Sequence, residues 1–142
     1  MNHSEELANS PEPSTAPRSP SPAGLEWAAL GALSVGLAVA LGAFGAHALK
    51  ARLPADLLVV FETGNRYHVY HGLGLLLLGL LGPSLSAEAL KRVGLCFAGG
   101  TLLFSGSLYL VAVTGVRKMG MITQLGGVLF ILGWMLLAGA LW

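Results

Sequence analysis

The chain is short of charge. Of its 142 residues only 11% are charged, against about 25% in an ordinary soluble domain. A water-facing surface cannot be built from so few. Acidic and basic residues nearly cancel, to a net +1, and the absence of a dense basic cluster argues against a nucleic-acid partner. Cysteine is scarcer still. Cys96 stands alone, which excludes an intrachain disulfide and a multi-cysteine metal site. It falls in an apolar run, where a small packing residue is expected. There is no nucleophile–base–orienter set and no glycine loop placed to open onto phosphates after a strand, so enzymatic activity is not expected.

What is present in excess is apolar. Hydrophobic residues make up 54%, the mean hydropathy is +0.71, and the 20 glycines suit close helix packing in lipid. The fold class expected is all-α: an integral membrane bundle of four transmembrane helices with short loops, its partner the lipid bilayer. Residues 1–24 stand apart as a Pro/Ser-rich tail that buries too little apolar surface to order itself. Ala46-His47-Ala48 mimics a cleavage site, but the length of the apolar run before it favours an uncleaved helix.

The spans are placed at about 27–48, 57–81, 89–114 and 119–142, each long enough to cross roughly 30 Å of hydrocarbon. Pro54 and Asp56 mark the start of the second, and Gly82-Pro83 stops it. A shorter membrane helix preceded by an interfacial one is the alternative. Trp27 and Trp142 are expected as aromatic anchors on one membrane face. In the first span small residues recur every four positions in two staggered series, Ala28, Ala32, Gly36, Ala40 and Ala38, Gly42, Ala46. This predicts a packing face toward another helix, with Gly126 and Gly127 playing that part in the fourth. Lys50, Arg52, Arg117 and Lys118 outweigh Lys91 and Arg92, which points to extracytoplasmic termini.

Interior polarity concentrates in "FETGNRYHVYHGLG", Phe61 to Gly74. Depth along a continuous helix puts His71 roughly 15 Å, His68 roughly 20 Å, and Asn65 and Arg66 roughly 23 Å above the end of the second span. Ser105, Ser107 and Tyr109 on the third span, and Thr123 and Gln124 on the fourth, fall at roughly 20–25 Å. Seven side chains (His71, His68, Asn65, Ser105, Tyr109, Thr123, Gln124) are therefore expected in one intramembrane polar layer, with His71 the foremost functional candidate. Glu62 and Arg66, spaced i, i+4 with the acid first, are expected to pair at the interface. His47 lies about 9 Å above His68 on the same rise, too far for one ion with bonds of roughly 2 Å. No metal or cofactor is expected. The leading functional expectation is a structural or accessory protein, in contact with copies of itself or another membrane protein. The alternative is an oligomeric transporter using the layer around His71.

The blocks "GALSVGLAVALGAFGAHALKARL", "FETGNRYHVYHGLGLLLLGLL", "LLFSGSLYL" and "MITQLGGVLFILGWMLLA" resemble the YgdD/YwdK-like family of small bacterial inner-membrane proteins, a domain of unknown function with a transmembrane counterpart in animals. The resemblance covers roughly residues 25–142. It implies a compact bundle of four membrane helices in the cell inner membrane, and brings no reaction or ligand with it. Carried over by position, the family pattern marks Gly42, Gly45, His47, Phe61, Tyr67, His71, Ser105, Gly106, Tyr109, Gly126, Gly127 and Trp134. Gln124 stands where family members often have proline.

Overall fold

The computed structural model describes residues 21–142, apart from the side chain of Arg117. Most of the segment read as a disordered tail therefore lies outside the described residues. Ser21 is already an N-cap, its hydroxyl accepting from Gly24 N–H at 3.1 Å. With Pro in the first turn the first helix begins at Pro22, five residues before the expected start.

Four long helices make up the described chain. Helix α1 spans Pro22–Leu49 and closes on a π-helical turn over Gly45–Leu49. Helix α2 is one unbroken element, Ala55–Leu81, entered from Pro54 with Asp56 in its first turn. Helix α3 covers Ala87–Thr114, with a second π turn at Thr101–Ser105. It ends on Gly115, whose φ of 73° is the left-handed conformation that glycine adopts without strain. Helix α4 runs over Gly120–Leu141. Helices α1, α3 and α4 are long and apolar enough to cross a membrane.

Helix α2 is the centre of the bundle, with α1 on one side and α3 on the other, and α4 packs on α3. The α1–α2 contact is a glycine seam. Gly24, Gly31, Ala38 and Gly45, all buried, recur every seven residues on α1. They face Gly79, Gly72, Asn65 and the Phe61 ring on α2, which runs the other way. A seven-residue step is the repeat of helices packed in a shallow left-handed crossing. The backbones nearly touch. A methyl added at Gly31 would lie on the Leu76 backbone nitrogen and 2.7 Å from Gly72 O, and one at Gly24 would lie 2.9 Å from Gly79 O.

This corrects the expected packing face. Ala32, Gly36 and Ala40 all point outward, and nothing lies within 4 Å of where a Gly36 side chain would begin. Of the two four-residue series, the first turns Ala32, Gly36 and Ala40 outward, while its Ala28 packs on Gly79 and the second's Ala38 and Gly42 face α2. The seven-residue series is the packed one. Gly42 does face α2, where its missing side chain leaves room for the Asn65 amide.

Helices α3 and α4 use glycine differently, as notches for aromatic rings. Phe97 sits against Gly133, Phe130 against Gly100, and Phe104 over Gly126 and more loosely Gly127. Trp27 fits the same pattern. Its indole lies on Gly94 of α3 and packs against a core of Leu75, Leu78, Leu90, Val93, Phe97 and Leu137. Trp27 is thus a half-buried, packed side chain, whereas Trp142 is fully exposed.

Two substitutions separate the seam from the outer face. Gly31→Ala is expected to cost about 1–3 kcal/mol by forcing α1 and α2 apart. Gly36→Ala should leave stability unchanged or slightly raised. Unfolding of both variants in mixed micelles measures the difference.

Candidate functional site

The seven polar residues expected in one layer fall into separate groups. The first links α1, α2 and α3. Asn65 on α2 donates from Nδ2 to the Ala38 carbonyl at 2.7 Å and to the Tyr109 hydroxyl at 3.3 Å. Tyr109 Oη lies 3.2 Å from His68 Nδ1, and His68 Nε2 lies 3.0 Å from Ser34 Oγ. With the His68 proton on Nε2, Tyr109 donates to Nδ1 and Nε2–H donates to Ser34, so the run goes Asn65 to Tyr109 to His68 to Ser34. The other tautomer, with Nδ1–H given to Tyr109 and Ser34 donating to Nε2, satisfies the ring equally.

The second group is His71. Its Nδ1–H donates to the Tyr67 carbonyl one turn back at 2.9 Å. The Trp134 indole N–H on α4 donates to His71 Nε2 at 3.2 Å. One nitrogen donates and the other accepts, so the ring is neutral with its proton on Nδ1. The imidazole stacks on Phe130 at 3.3 Å between centroids, with Phe97 edge-on at 5.6 Å. His71 is 4% exposed.

A third group joins α3 to α4. Ser107 Oγ and Thr123 Oγ1 lie 2.7 Å apart, and each also reaches a carbonyl of its own helix, Phe104 O and Met119 O. Gln124 is exposed on the outer side of α4 and joins none of these groups. Ser105 is 1% exposed, and its hydroxyl has no hydrogen-bond partner among the described residues. Glu62 and Arg66 are both exposed and no ion pair joins them. They flank a cleft of ≈ 380 Å³ against Gly42 and Gly45. Among the described residues the i, i+4 pair that does form is Glu88 with Arg92, at 2.7 Å. His47 lies exposed on the α1 π turn.

Two members of these groups were not among the candidates. Trp134 was marked by the family resemblance without a role. Ser34 is one serine among Ala, Gly and Leu, and carried no signal of its own.

Long apolar helices, glycine seams and interior polar groups that bond to one another define a multi-helix integral membrane protein. The chain belongs to the family described as protein of unknown function (DUF423), whose model matches residues 41–127. It is 48% identical over 108 residues to the UPF0382 membrane protein SSP2132 of Staphylococcus saprophyticus, covering 76% of this chain and 89% of that one. To the UPF0382 membrane protein YwdK of Bacillus subtilis it is 46% identical over 112 residues, covering 78% and 91%. No solved structure matches it.

If the Trp134–His71 bond ties α4 to α2, a double-mutant cycle of Trp134→Phe and His71→Phe should return a coupling of about 0.5–2 kcal/mol, the range for interhelical polar contacts in membranes. Denaturant unfolding of the purified variants measures it. Tyr109→Phe removes the middle of the Asn65–His68 chain and is expected to destabilise by about 1–3 kcal/mol through the orphaned His68 nitrogen.

Proposed function

We propose that the protein crosses the cell inner membrane four times, with α2 as the central span and both termini extracytoplasmic, and serves as a structural or accessory component with no reaction of its own. The observation that carries this reading is the closed state of the two buried histidines. His68 and His71 each commit both ring nitrogens to protein partners. A proton relay through either would first have to break a bond in surroundings where nothing replaces it. Transport along these rings is therefore disfavoured. The charged neighbours of these rings on α2, Glu62 and Arg66, are exposed and bond to neither histidine.

The outward face carrying Ala32, Gly36 and Ala40 suits contact with a second copy or another membrane protein, which is how an accessory role would be exercised. Orientation follows from the excess of Lys and Arg in the 49–56 and 115–118 loops over the 82–88 loop.

Two measurements test the reading. Proteoliposomes of the purified chain should show no proton flux above empty vesicles. Flux lost on His71→Ala would overturn it. With Cys96 replaced by Ala, a membrane-impermeant maleimide should label Ser84→Cys but not Lys50→Cys in intact cells.

A further inference from the structure

Between α1 and α3 a lateral groove of ≈ 500 Å³ runs over the face of α2. Its walls are Leu30, Leu33, Leu37 and Leu41 from α1 and Ala98 and Leu102 from α3. Leu33 and Leu102 at the rim are 74% and 75% exposed, so the groove faces lipid. No charged side chain lines it. Polar groups nevertheless do: Ser34, His68, Tyr109, Thr101 and Ser105.

Most of this polarity is used up. His68 and Tyr109 belong to the hydrogen-bonded chain already described, and Thr101 donates to Phe97 O at 2.8 Å. Ser105 is different. Thr63, Thr101, Thr114 and Thr123 each bond to the carbonyl four residues back, the usual refuge of a helical hydroxyl. For Ser105 that carbonyl is Thr101 O. That carbonyl lies in the π turn and accepts Gly106 N–H, five residues on, and the Ser105 hydroxyl makes no bond to it. Ser105 is left with a hydroxyl hydrogen and no acceptor, in a medium where an unmet polar group is expensive. Ser34, on the opposite wall, lies 3.0 Å from His68 Nε2, and in the tautomer that carries the His68 proton on Nε2 it accepts that N–H and keeps its own hydrogen to donate. The groove thus has apolar walls and a hydroxyl donor on each side.

We propose that this groove binds an uncharged, membrane-dissolved carbonyl compound of the prenylated-quinone class, its ring carbonyls accepting from Ser105 and Ser34 and its apolar tail lying along the leucines. Four observations select that chemistry. The lining carries no charge. The free groups are hydroxyls with a hydrogen to donate, which a ligand carbonyl can accept. Two donors on facing walls match two carbonyls on opposite edges of a flat ring. Depth excludes the ester carbonyls of phospholipids. Ser105 lies nine residues inside the end of a 28-residue helix, which puts it about 8 Å below the edge of a roughly 30 Å hydrocarbon layer. The volume is that of an ordinary small-molecule site. The proposal rests on the accessory reading above and gives it content: a protein that holds a lipid-soluble cofactor or substrate for a partner.

The test uses the full purified chain in detergent, with decylubiquinone as probe, n-decylbenzene as the carbonyl-free control, and the thermal unfolding midpoint as readout. Decylubiquinone is expected to raise the midpoint with concentration, and decylbenzene is not. Ser105→Ala should leave the ligand-free midpoint unchanged or raised, because it removes an orphan group, yet weaken decylubiquinone binding roughly tenfold. Gly106→Leu adds a side chain where no neighbouring atom lies within 4 Å of its Cβ. This variant should fold and lose binding by filling the groove. Equal shifts from probe and control, an unchanged affinity in Ser105→Ala, or no shift in the wild type would overturn the proposal. Those outcomes would leave the accessory reading standing. Proton flux in vesicles would remove that reading without touching the binding result.

Discussion

The rest of the structure depends on how closely the backbones of α1 and α2 approach. In lipid, helices gain little from hiding apolar surface, so association falls to dispersion between well-fitted surfaces and to interhelical hydrogen bonds. Both need short distances. Gly24, Gly31 and Gly45 on α1 and Gly72 and Gly79 on α2 remove the side chains that would hold the helices apart. The consequence is polar as well as steric. Asn65 can reach the Ala38 carbonyl at 2.7 Å because Gly42 leaves space beside its amide. The same register brings Ser34 opposite His68. A shift of one residue along the seam would displace the glycine contacts and the hydrogen bonds together, so packing and polar specificity reinforce one choice of alignment.

On the other side of α2 the closeness is achieved by rings seated on glycines. Phe97, Phe104 and Phe130 meet Gly133, Gly126 and Gly100 in a single antiparallel register that also joins Ser107 to Thr123. This arrangement presents Phe130 flat to His71 and aims the Trp134 N–H at its Nε2. The imidazole is thereby dry, stacked and bonded at both nitrogens. Helix α1 is drawn tightly to α2 and α4 to α3. Along α1 and α3 the Trp27–Gly94 contact closes one end, and the groove beside Leu33 and Leu102 stays open above it.

Class, family and the polar inventory were legible in the sequence because they depend on composition and on residue types at a given height. Facing was not. Small residues occur on both sides of α1, and a four-residue spacing in Ala32, Gly36 and Ala40 resembles a seam as well as the true seven-residue series does. Only the partner helix decides between them. Depth arithmetic failed in a specific way. With α1 started at Trp27, Ser34 lies about 10 Å up; with the actual start at Pro22 it lies about 18 Å up, level with His68 at about 20 Å. A five-residue error at an N-cap hid the histidine's partner. Helical rise also carries no azimuth, so Thr123 and Gln124, adjacent in height, were grouped although one bonds to Ser107 and the other faces outward. The π turns left no trace in the residue pattern.

A buried polar group that is satisfied reports mainly on stability. His71 drew attention because lipid cannot satisfy it, yet the bundle does so completely, and its neutral ring reads as a connector between α2 and α4. Ser105 looked ordinary, since a helical serine can usually bond to its own helix. In the π turn the Thr101 carbonyl accepts Gly106 N–H and the Ser105 hydroxyl bonds to neither it nor any other group among the described residues. An extra residue in a turn costs regular hydrogen bonding, and such turns concentrate at functional sites. Here the irregularity coincides with an orphan hydroxyl on the edge of a lipid-facing groove. Two departures from local preference at one place put the functional weight on the α1–α3 groove and away from the histidine that dominates the sequence.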